Sequence, residues 1–336
     1  MYELLGLNVF LAMLLTINAF ATLFAAAVGR LVRRPLMRCT ARTRAEILFA
    51  LRVGPPVIAI VAVAAFLIPA YLIFEPYATK EFVSIKLATL AILSGIGVGL
   101  AVWRAFRTWH ATHSLLKRWL YLATPVDLPG SNIPAFQLPY GFPLIAVVGT
   151  FRPRLFVAEH VLESLSEEEL VAAISHECGH LAAHDNFKRS LLRISRAGLL
   201  LVPCGRSLDR AWAEASECAA DEHAAQESST IAINLASALV RIARMIPDGN
   251  SEAMPAAVST FLASGEEIRG VKARVRRLLE LASTDSRLRG SHARLVRLAP
   301  WLTIGAIVVA SIVIESRPQV LAVAHLFIEE MVAFLS

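Results

Sequence analysis

The sequence predicts a mainly α-helical integral membrane protein with about four transmembrane helices and one α+β domain outside the bilayer. Hydrophobic residues make up 56% of the 336 residues, and the mean hydropathy is +0.57. Four uncharged stretches approach the length of about 20 residues that a helix needs to cross a bilayer. They are residues 4–29, 53–74, 87–103 and 298–314. Between the third and the fourth, short β-branched runs and amphipathic helical patterns predict the α+β domain.

These stretches divide the chain into three parts. We expect residues 1–118 to form a membrane region and residues 119–297 a domain outside the bilayer. Residues 298–336 should add a fourth transmembrane helix and a short extracytoplasmic tail. The third and fourth spans are short, so buried helices of a soluble domain are the alternative. The three N-terminal transmembrane helices are predicted over residues 4–29, 53–74 and 84–106.

The first span could be mistaken for a signal peptide. It has no basic residues before its apolar stretch, and its positive charges follow it. We therefore interpret it as an uncleaved anchor.

Basic residues mark one side of the membrane. Lysine and arginine are enriched in cytoplasmic loops, so the arginines of the first loop predict that this loop and the α+β domain are cytoplasmic. The protein is then a multi-pass protein of the cell (inner) membrane, with the lipid bilayer as a partner. Its net charge of +6 does not predict nucleic-acid binding, because no suitable fold or aromatic platform accompanies it. The arginines are Arg30, Arg33, Arg34, Arg38, Arg42, Arg44 and Arg52.

The sequence H-E-C-G-H at residues 176–180 is the most informative motif. A capping box formed by Ser166 and Glu169 predicts the start of a helix just before it. On a helix, His176 and His180 are four residues apart and share a face, where two neutral imidazoles can bind zinc. Glu177 can then act as general base on a water molecule. The alternative is a helix whose histidines and glutamate are simply hydrogen-bonded or ion-paired.

A third zinc ligand is predicted on a later helix that starts near Ser207. Glu217 and Asp221 are also four residues apart, so Glu217 could bind the metal while Asp221 orients a ligand histidine. Glu222 points to a different side of that helix. A solvated acidic face is the alternative interpretation of this spacing.

The cysteines predict a reducing compartment, because the four have no spacing typical of a disulfide framework. Cys178 and Cys218 flank the predicted ligands. Their positions on the two helices favour packing over metal binding.

Two short strands are predicted before the zinc-binding helix, over residues 144–150 and 154–158. In zinc peptidases, an edge strand beside the metal often binds an extended substrate through main-chain hydrogen bonds. Our candidate comprises five residues, and an ordinary core strand is the alternative. The candidate residues are Leu144, Ile145, Ala146, Val147 and Val148.

Residues 151–189 resemble the membrane metallopeptidases of the BlaR/MecR type and, more distantly, the HtpX and CAAX prenyl protease family. Both groups pair H-E-x-x-H with a downstream E-x-x-x-D, matched by Glu217 and Asp221, and commonly have an aspartate at the position of Asp185. Residues 272–279 are similar to a basic-apolar motif of the BlaR/MecR type. The resemblance covers roughly residues 120–315. Cys178 departs from the usual bulky aliphatic residue, and His184 stands where a basic residue is common.

This resemblance implies a zincin-like metallopeptidase domain of the gluzincin kind, with Zn²⁺ as cofactor and Asp185 beside the ligands. His223 and Arg274 are candidates for stabilising the oxyanion. The protein would be a regulatory endopeptidase with protein or peptide substrates, cutting itself or a cytoplasmic repressor. The short segment after residue 316 does not favour β-lactam sensing.

Two alternative functions stay open. One is an HtpX-like quality-control or prenyl-protein protease, and the other is a non-catalytic membrane scaffold or receptor. The intact zinc motif argues against the scaffold. A homo-oligomer is compatible with the sequence.

Overall fold

The computed structural model describes six parts of the chain, and within them the protein is mostly helical. The described residues are 2–76, 83–150, 152–195, 205–245, 266–283 and 318–335. The predicted span at residues 298–314 lies outside them.

Three helices of this part of the chain are long and apolar enough to cross a membrane. The first is α1 (Tyr2–Leu31). The second is one continuous helical run, made of α3 (Ala41–Ala62), a π-helical segment (Val63–Leu67) and α4 (Ile68–Phe74). The third is α5 (Ile85–Leu122). The first three uncharged stretches, residues 4–29, 53–74 and 87–103, lie within these helices, which supports membrane association.

The second and third helices extend beyond the apolar stretches that predicted them. The second begins 12 residues before residue 53, at Ala41, where the side chain of Thr40 caps it by accepting from the N–H of Thr43. α5 has 38 residues, about 57 Å at 1.5 Å per residue, whereas the hydrocarbon core of a bilayer is about 30 Å thick. It continues past residue 118, so the predicted domain boundary lies inside a helix.

The membrane helices pack through a core of their own. Gly6 of α1 allows a close approach, because a Cβ there would lie 2.8 Å from the ring of Tyr71 on α4. A last helix, α12 (Pro318–Leu335), packs Leu321 and Ile328 into the same cluster. Other large side chains, such as Phe24 of α1, are exposed as expected for a lipid-facing surface.

A four-stranded sheet follows α5. It comprises β1 (Thr124–Val126), β2 (Ala135–Leu138), β3 (Ile145–Val148) and β4 (Arg154–Ala158), in the order β1-β2-β4-β3. β2 and β4 are parallel, while the other two pairs are antiparallel. β3 therefore forms one edge. The sheet packs on the end of α5, where the ring of Trp119 lies 5.2 Å from that of Phe156.

Six further helices follow in the described part of this domain. The predicted capping box at the start of α7 is present, since Ser166 Oγ accepts from the N–H of Glu169 and the Glu169 carboxylate accepts from the N–H of Ser166. α9 lies at the centre of the domain, in contact with α3, α7, α10 and α11. A short helix, α2 (Arg33–Leu36), joins α1 to α3. The six are α6 (Glu159–Ser164), α7 (Glu167–Ala182), α8 (Asp185–Ser195), α9 (Gly205–Glu227), α10 (Ser229–Met245) and α11 (Glu266–Ser283).

Candidate metal centre

Gly179 brings the two helices of the candidate site together. It lies on α7 between the two predicted ligand histidines and faces α9. A Cβ on Gly179 would lie 3.0 Å from the Cα of Ala220 and 3.1 Å from the Cβ of His223. A larger residue would therefore push the helices apart at the level of the ligands. The close contact also places His223 beside Gly179.

Three side chains converge where α7 meets α9. One ligand atom from each of His176, His180 and Glu217 lies within 4.8 Å of the others. The Nε2 atom of His176 is 3.6 Å from Oε2 of Glu217, and Nε2 of His180 is 3.4 Å from Oε1. Within the described ranges, no other group of at least three histidine, cysteine or carboxylate side chains has this geometry.

The converging atoms fit a bound cation. His180 Nε2 and Glu217 Oε2 are buried, and neither has a hydrogen-bond partner. Burying polar atoms without hydrogen bonds is costly, and a metal ion could bind both atoms. Two imidazole nitrogens and one carboxylate form a donor set typical of a catalytic zinc site. The residues present therefore fit zinc.

A second set of carboxylates orients the histidines. Asp221 Oδ1 lies 2.9 Å from Nδ1 of His176, and Asp185 Oδ2 lies 2.7 Å from Nδ1 of His180. The hydroxyl of Ser216 donates to the same Asp185 oxygen at 2.6 Å. Carboxylates at Nδ1 hold the proton there and leave Nε2 as the ligand atom.

Two arginines offset the negative charge of this cluster. Arg274 of α11 donates to both oxygens of Asp221, at 2.9 and 2.7 Å, and lies 3.2 Å from Glu217 Oε2. Arg189 of α8 donates to Glu217 Oε1 at 3.3 Å. Arg274 thus lies against carboxylates that hold or orient the ligands. The sequence patterns did not predict Arg189 at the site.

The electrostatics keep these carboxylates ionised. Burial alone raises the pKa of Glu217, but His180, His176 and Arg274 outweigh it and hold that pKa well below its usual range. Burial is likewise outweighed at Asp221, where Arg274 and His176 lower the pKa to about 2. Both side chains are therefore anionic at neutral pH.

Glu177 lies between the ligand helix and the sheet. Its Oε2 accepts a hydrogen bond from the N–H of Val147 at 3.0 Å, and its Oε1 is buried without a partner. Burial raises the pKa of Glu177, against the opposing effects of His180 and His176. A raised pKa makes this carboxylate a better proton acceptor near neutral pH.

The comparison with known families points to the same chemistry. Residues 146–242 match the model of peptidase family M48. No curated protein matches the chain. The matched segment contains both histidines, Glu177 and Glu217, and M48 peptidases are in general zinc-dependent. The match supports a metallopeptidase of the M48 family, whereas Arg274 lies beyond its end.

At the start of the matched segment, β3 is an edge strand whose outward main-chain groups are partly occupied. Its antiparallel pairing with β4 directs the main-chain groups of Ile145 and Val147 away from the sheet. Val147 is engaged there, because its N–H donates to Glu177 and its carbonyl accepts from Asn186 Nδ2 at 2.9 Å. All four side chains of β3 are buried, so the strand is both an edge and part of the core.

Asn186 was not predicted as part of the site. Its amide also donates to the carbonyl of Gly149 at 3.3 Å, so it ties α8 to the end of β3.

The two cysteines that flank the predicted ligands, Cys178 and Cys218, lie outside the metal-binding group. Cys178 packs against the sheet core, and burial raises the pKa of its thiol and of Cys218.

Proposed function

We propose that the protein is a membrane-bound zinc endopeptidase. The observation that carries this proposal is the convergence of ligand atoms of His176, His180 and Glu217 on one point, directly beside the buried carboxylate of Glu177. Such an arrangement pairs a metal site with a general base.

The metal ligands and Glu177 have separate roles in the proposed hydrolysis of a peptide bond. When zinc is bound by His176, His180 and Glu217, it supplies Lewis acidity to the scissile carbonyl and the attacking water. Glu177 accepts the proton of the water, with Oε1 as the available atom, and passes it to the leaving amine. Its bond to Val147 fixes the carboxylate relative to the edge strand.

The edge strand provides the expected binding mode for a peptide. An extended substrate can add to β3 through the outward main-chain groups of Ile145, since those of Val147 already have partners. This places the peptide next to Glu177.

Contacts between the arginine-rich segment and the catalytic helices support a cytoplasmic active site. The N–H of Ala41 donates to Glu222 of α9, and Arg42 donates to the carbonyl of Ala182 at the end of α7, both at 3.0 Å. The segment between α1 and α3 therefore lies on the same side of the membrane as the metal centre. Because arginine-rich loops are enriched on the cytoplasmic side, these contacts support a cytoplasmic active site in a multi-pass inner-membrane protein.

For the substrate, we favour regulatory proteolysis of the protein itself or of a cytoplasmic repressor. The resemblance of residues 272–279 to the BlaR/MecR type supports this role, since Arg274 of that segment contacts Asp221. Comparing proteomes of cells that carry active protein or Glu177→Ala tests it. One accumulating repressor fits regulation, whereas many accumulating membrane proteins fit HtpX-like quality control.

Zinc content and peptide cleavage test the proposed function. Purified protein should contain one zinc per chain and cleave unstructured peptides, and His180→Ala should abolish both. His184→Asn is a matched control, because His184 is exposed and has a left-handed φ of 55° that asparagine tolerates. Full zinc occupancy in a His176→Ala/His180→Ala double variant would contradict the site. Zinc binding without cleavage of any substrate would favour the scaffold alternative.

A further inference from the structure

A cavity of about 650 Å³ lies away from the metal centre, where the first membrane helix ends. Its walls come from the last turns of α1, from α2, from the first half of α3 and from the first turns of α9. None of the side chains of the metal centre lines it. The apolar part of α1 ends at this level, since Arg30 follows 26 uncharged residues at positions 4–29. The cavity is therefore at the height of the lipid headgroups.

The rim of the cavity is cationic. Three arginines line it, Arg30, Arg33 and Arg44, against a single glutamate, Glu214. Neither Arg33 nor Arg44 forms an ion pair with a carboxylate in the part of the chain that the structure describes. Guanidinium groups bind phosphate oxygens through paired N–H donors. The rim therefore suits a phosphate-bearing anion.

The rest of the lining is apolar. Leu36 and Leu48 are buried side chains at the cavity wall, and Leu208 and Ala211 of α9 face them. Met37, also a lining residue, is 67% exposed. A free phosphate ion would leave the accessible part of this lining, Met37 with the half-buried Leu208 and Ala211, in water. A ligand with an anionic head and a hydrocarbon tail would use both parts of the lining.

We propose that this cavity binds one anionic phospholipid of the adjacent leaflet. Its phosphate contacts Arg33 and Arg44, and the upper part of an acyl chain lies along Leu36, Leu48 and Leu208. Basic pockets between transmembrane helices on the cytoplasmic side are suited to such headgroups. The volume is in the usual range for a small-molecule site. The site stands independently of the peptidase function.

The test is thermal stabilisation of the full-length protein in neutral detergent by a short-chain lipid. Dioctanoyl phosphatidylglycerol should raise the Tm of the wild type, whereas dioctanoyl phosphatidylcholine and inorganic phosphate should not. Arg33→Gln/Arg44→Gln should weaken the apparent affinity for phosphatidylglycerol by roughly tenfold or more. The matched control is Arg34→Gln/Arg38→Gln, which removes equal charge from exposed residues of the same loop that do not line the cavity. The control should respond like the wild type.

A second variant tests the volume of the cavity without changing its charge. Ala211→Phe fills the cavity and keeps all three arginines, so it should also lose the response to phosphatidylglycerol while keeping its zinc. An equal Tm shift with inorganic phosphate would show a free-anion site and overturn the lipid assignment. An equal Tm shift with phosphatidylcholine would show a nonspecific effect of lipid. An equal loss of affinity for phosphatidylglycerol in the two double variants would show a nonspecific effect of charge. A full response in Ala211→Phe would place the lipid elsewhere.

Discussion

Two groups of buried charged side chains differ in how their charges are matched. In the metal centre, imidazole nitrogens and a carboxylate face one another, and two of the ligand atoms have no hydrogen-bond partner. Between α3 and the catalytic helices, each cation meets an anion. Arg52 of α3 pairs with Asp209 of α9 at 3.0 Å, and Lys188 of α8 pairs with Glu46 of α3.

The difference lies in geometry, because ligand atoms of three side chains converge on one point in the metal centre, whereas each ion pair joins only two side chains. The ion pairs balance their own charge, so their contribution is to fix a membrane helix against α8 and α9. The metal centre brings two imidazoles and a carboxylate to one point, where a single added cation can bind all three. Burial of charge alone therefore does not identify the functional cluster, whereas convergence of donors does.

The largest expected effect concerns Glu177, which belongs to the metal centre without being a ligand. Glu177→Gln should lower kcat/KM by about 10²- to 10⁴-fold and leave zinc content unchanged, because the amide cannot accept a proton at neutral pH. Peptide cleavage and metal analysis on the same sample measure both. Glu168→Gln, at an exposed position of the same helix, should behave as the wild type. Wild-type cleavage by Glu177→Gln would remove the enzyme proposal.

Breaking one ion pair should affect stability and not metal content. Lys188→Met leaves Glu46 buried without its cation, at an expected cost of about 3–5 kcal/mol. Thermal unfolding in detergent measures the loss. The double variant Lys188→Met/Glu46→Met should recover most of the stability, since no charge is then left unpaired. A double variant as unstable as the single one would show that the pair itself is needed.

Removing an orienting carboxylate should have a moderate effect on zinc. Asp221→Asn keeps the shape of the side chain but weakens its hold on His176, and changes of this kind typically cost 10- to 100-fold in metal affinity. Competition with a zinc chelator gives the affinity. Glu222→Gln is the neighbouring control, because Glu222 contacts Arg277 and Ala41 and neither ligand histidine. Equal losses in the two variants would mean that Asp221 has no specific role.

The smallest effect is a proton released on metal binding. Burial tends to lower the pKa of His180, but Glu217 and Asp185 outweigh it and raise the pKa to about 10 in the metal-free protein. His180 is then protonated at pH 7 and must become neutral to bind zinc. Zinc binding should therefore release about one proton at pH 7, and zinc affinity should rise with pH up to about 10. Calorimetry in two buffers of different ionisation enthalpy counts the protons, and a count of zero would contradict this pKa.

Local spacing predicts much of the metal centre. His176, Glu177 and His180 belong to one helical turn, and Glu217 and Asp221 to another, so periodicity alone groups them. Asn186 and Arg189 could not be found this way. They reach the site because His184, with its left-handed φ of 55°, ends α7 and redirects the chain into α8. That turn depends on packing and not on a sequence pattern.

Hydropathy predicts the membrane helices but not their ends. It detects the apolar stretch of α5 and misses its continuation to Leu122, which is stabilised by the packing of residues such as Trp119 on the sheet. β1 and β2 were also missed, because Pro125 disfavours a strand and β2 gains its parallel partner only in the folded domain. Tertiary contacts, absent from any local pattern, determine these elements.

α5 is long enough to extend well beyond the bilayer. About 30 Å of its 57 Å suffices for the bilayer, so about 27 Å projects beyond it and ends at the sheet. Transmembrane helices adjust their tilt to the thickness of the surrounding lipid. Pivoting by about 10° at the membrane surface moves the far end of such a rod by roughly 5 Å, about the spacing between neighbouring β-strands. We therefore expect a change in bilayer thickness to shift the end of α5 on which the sheet packs.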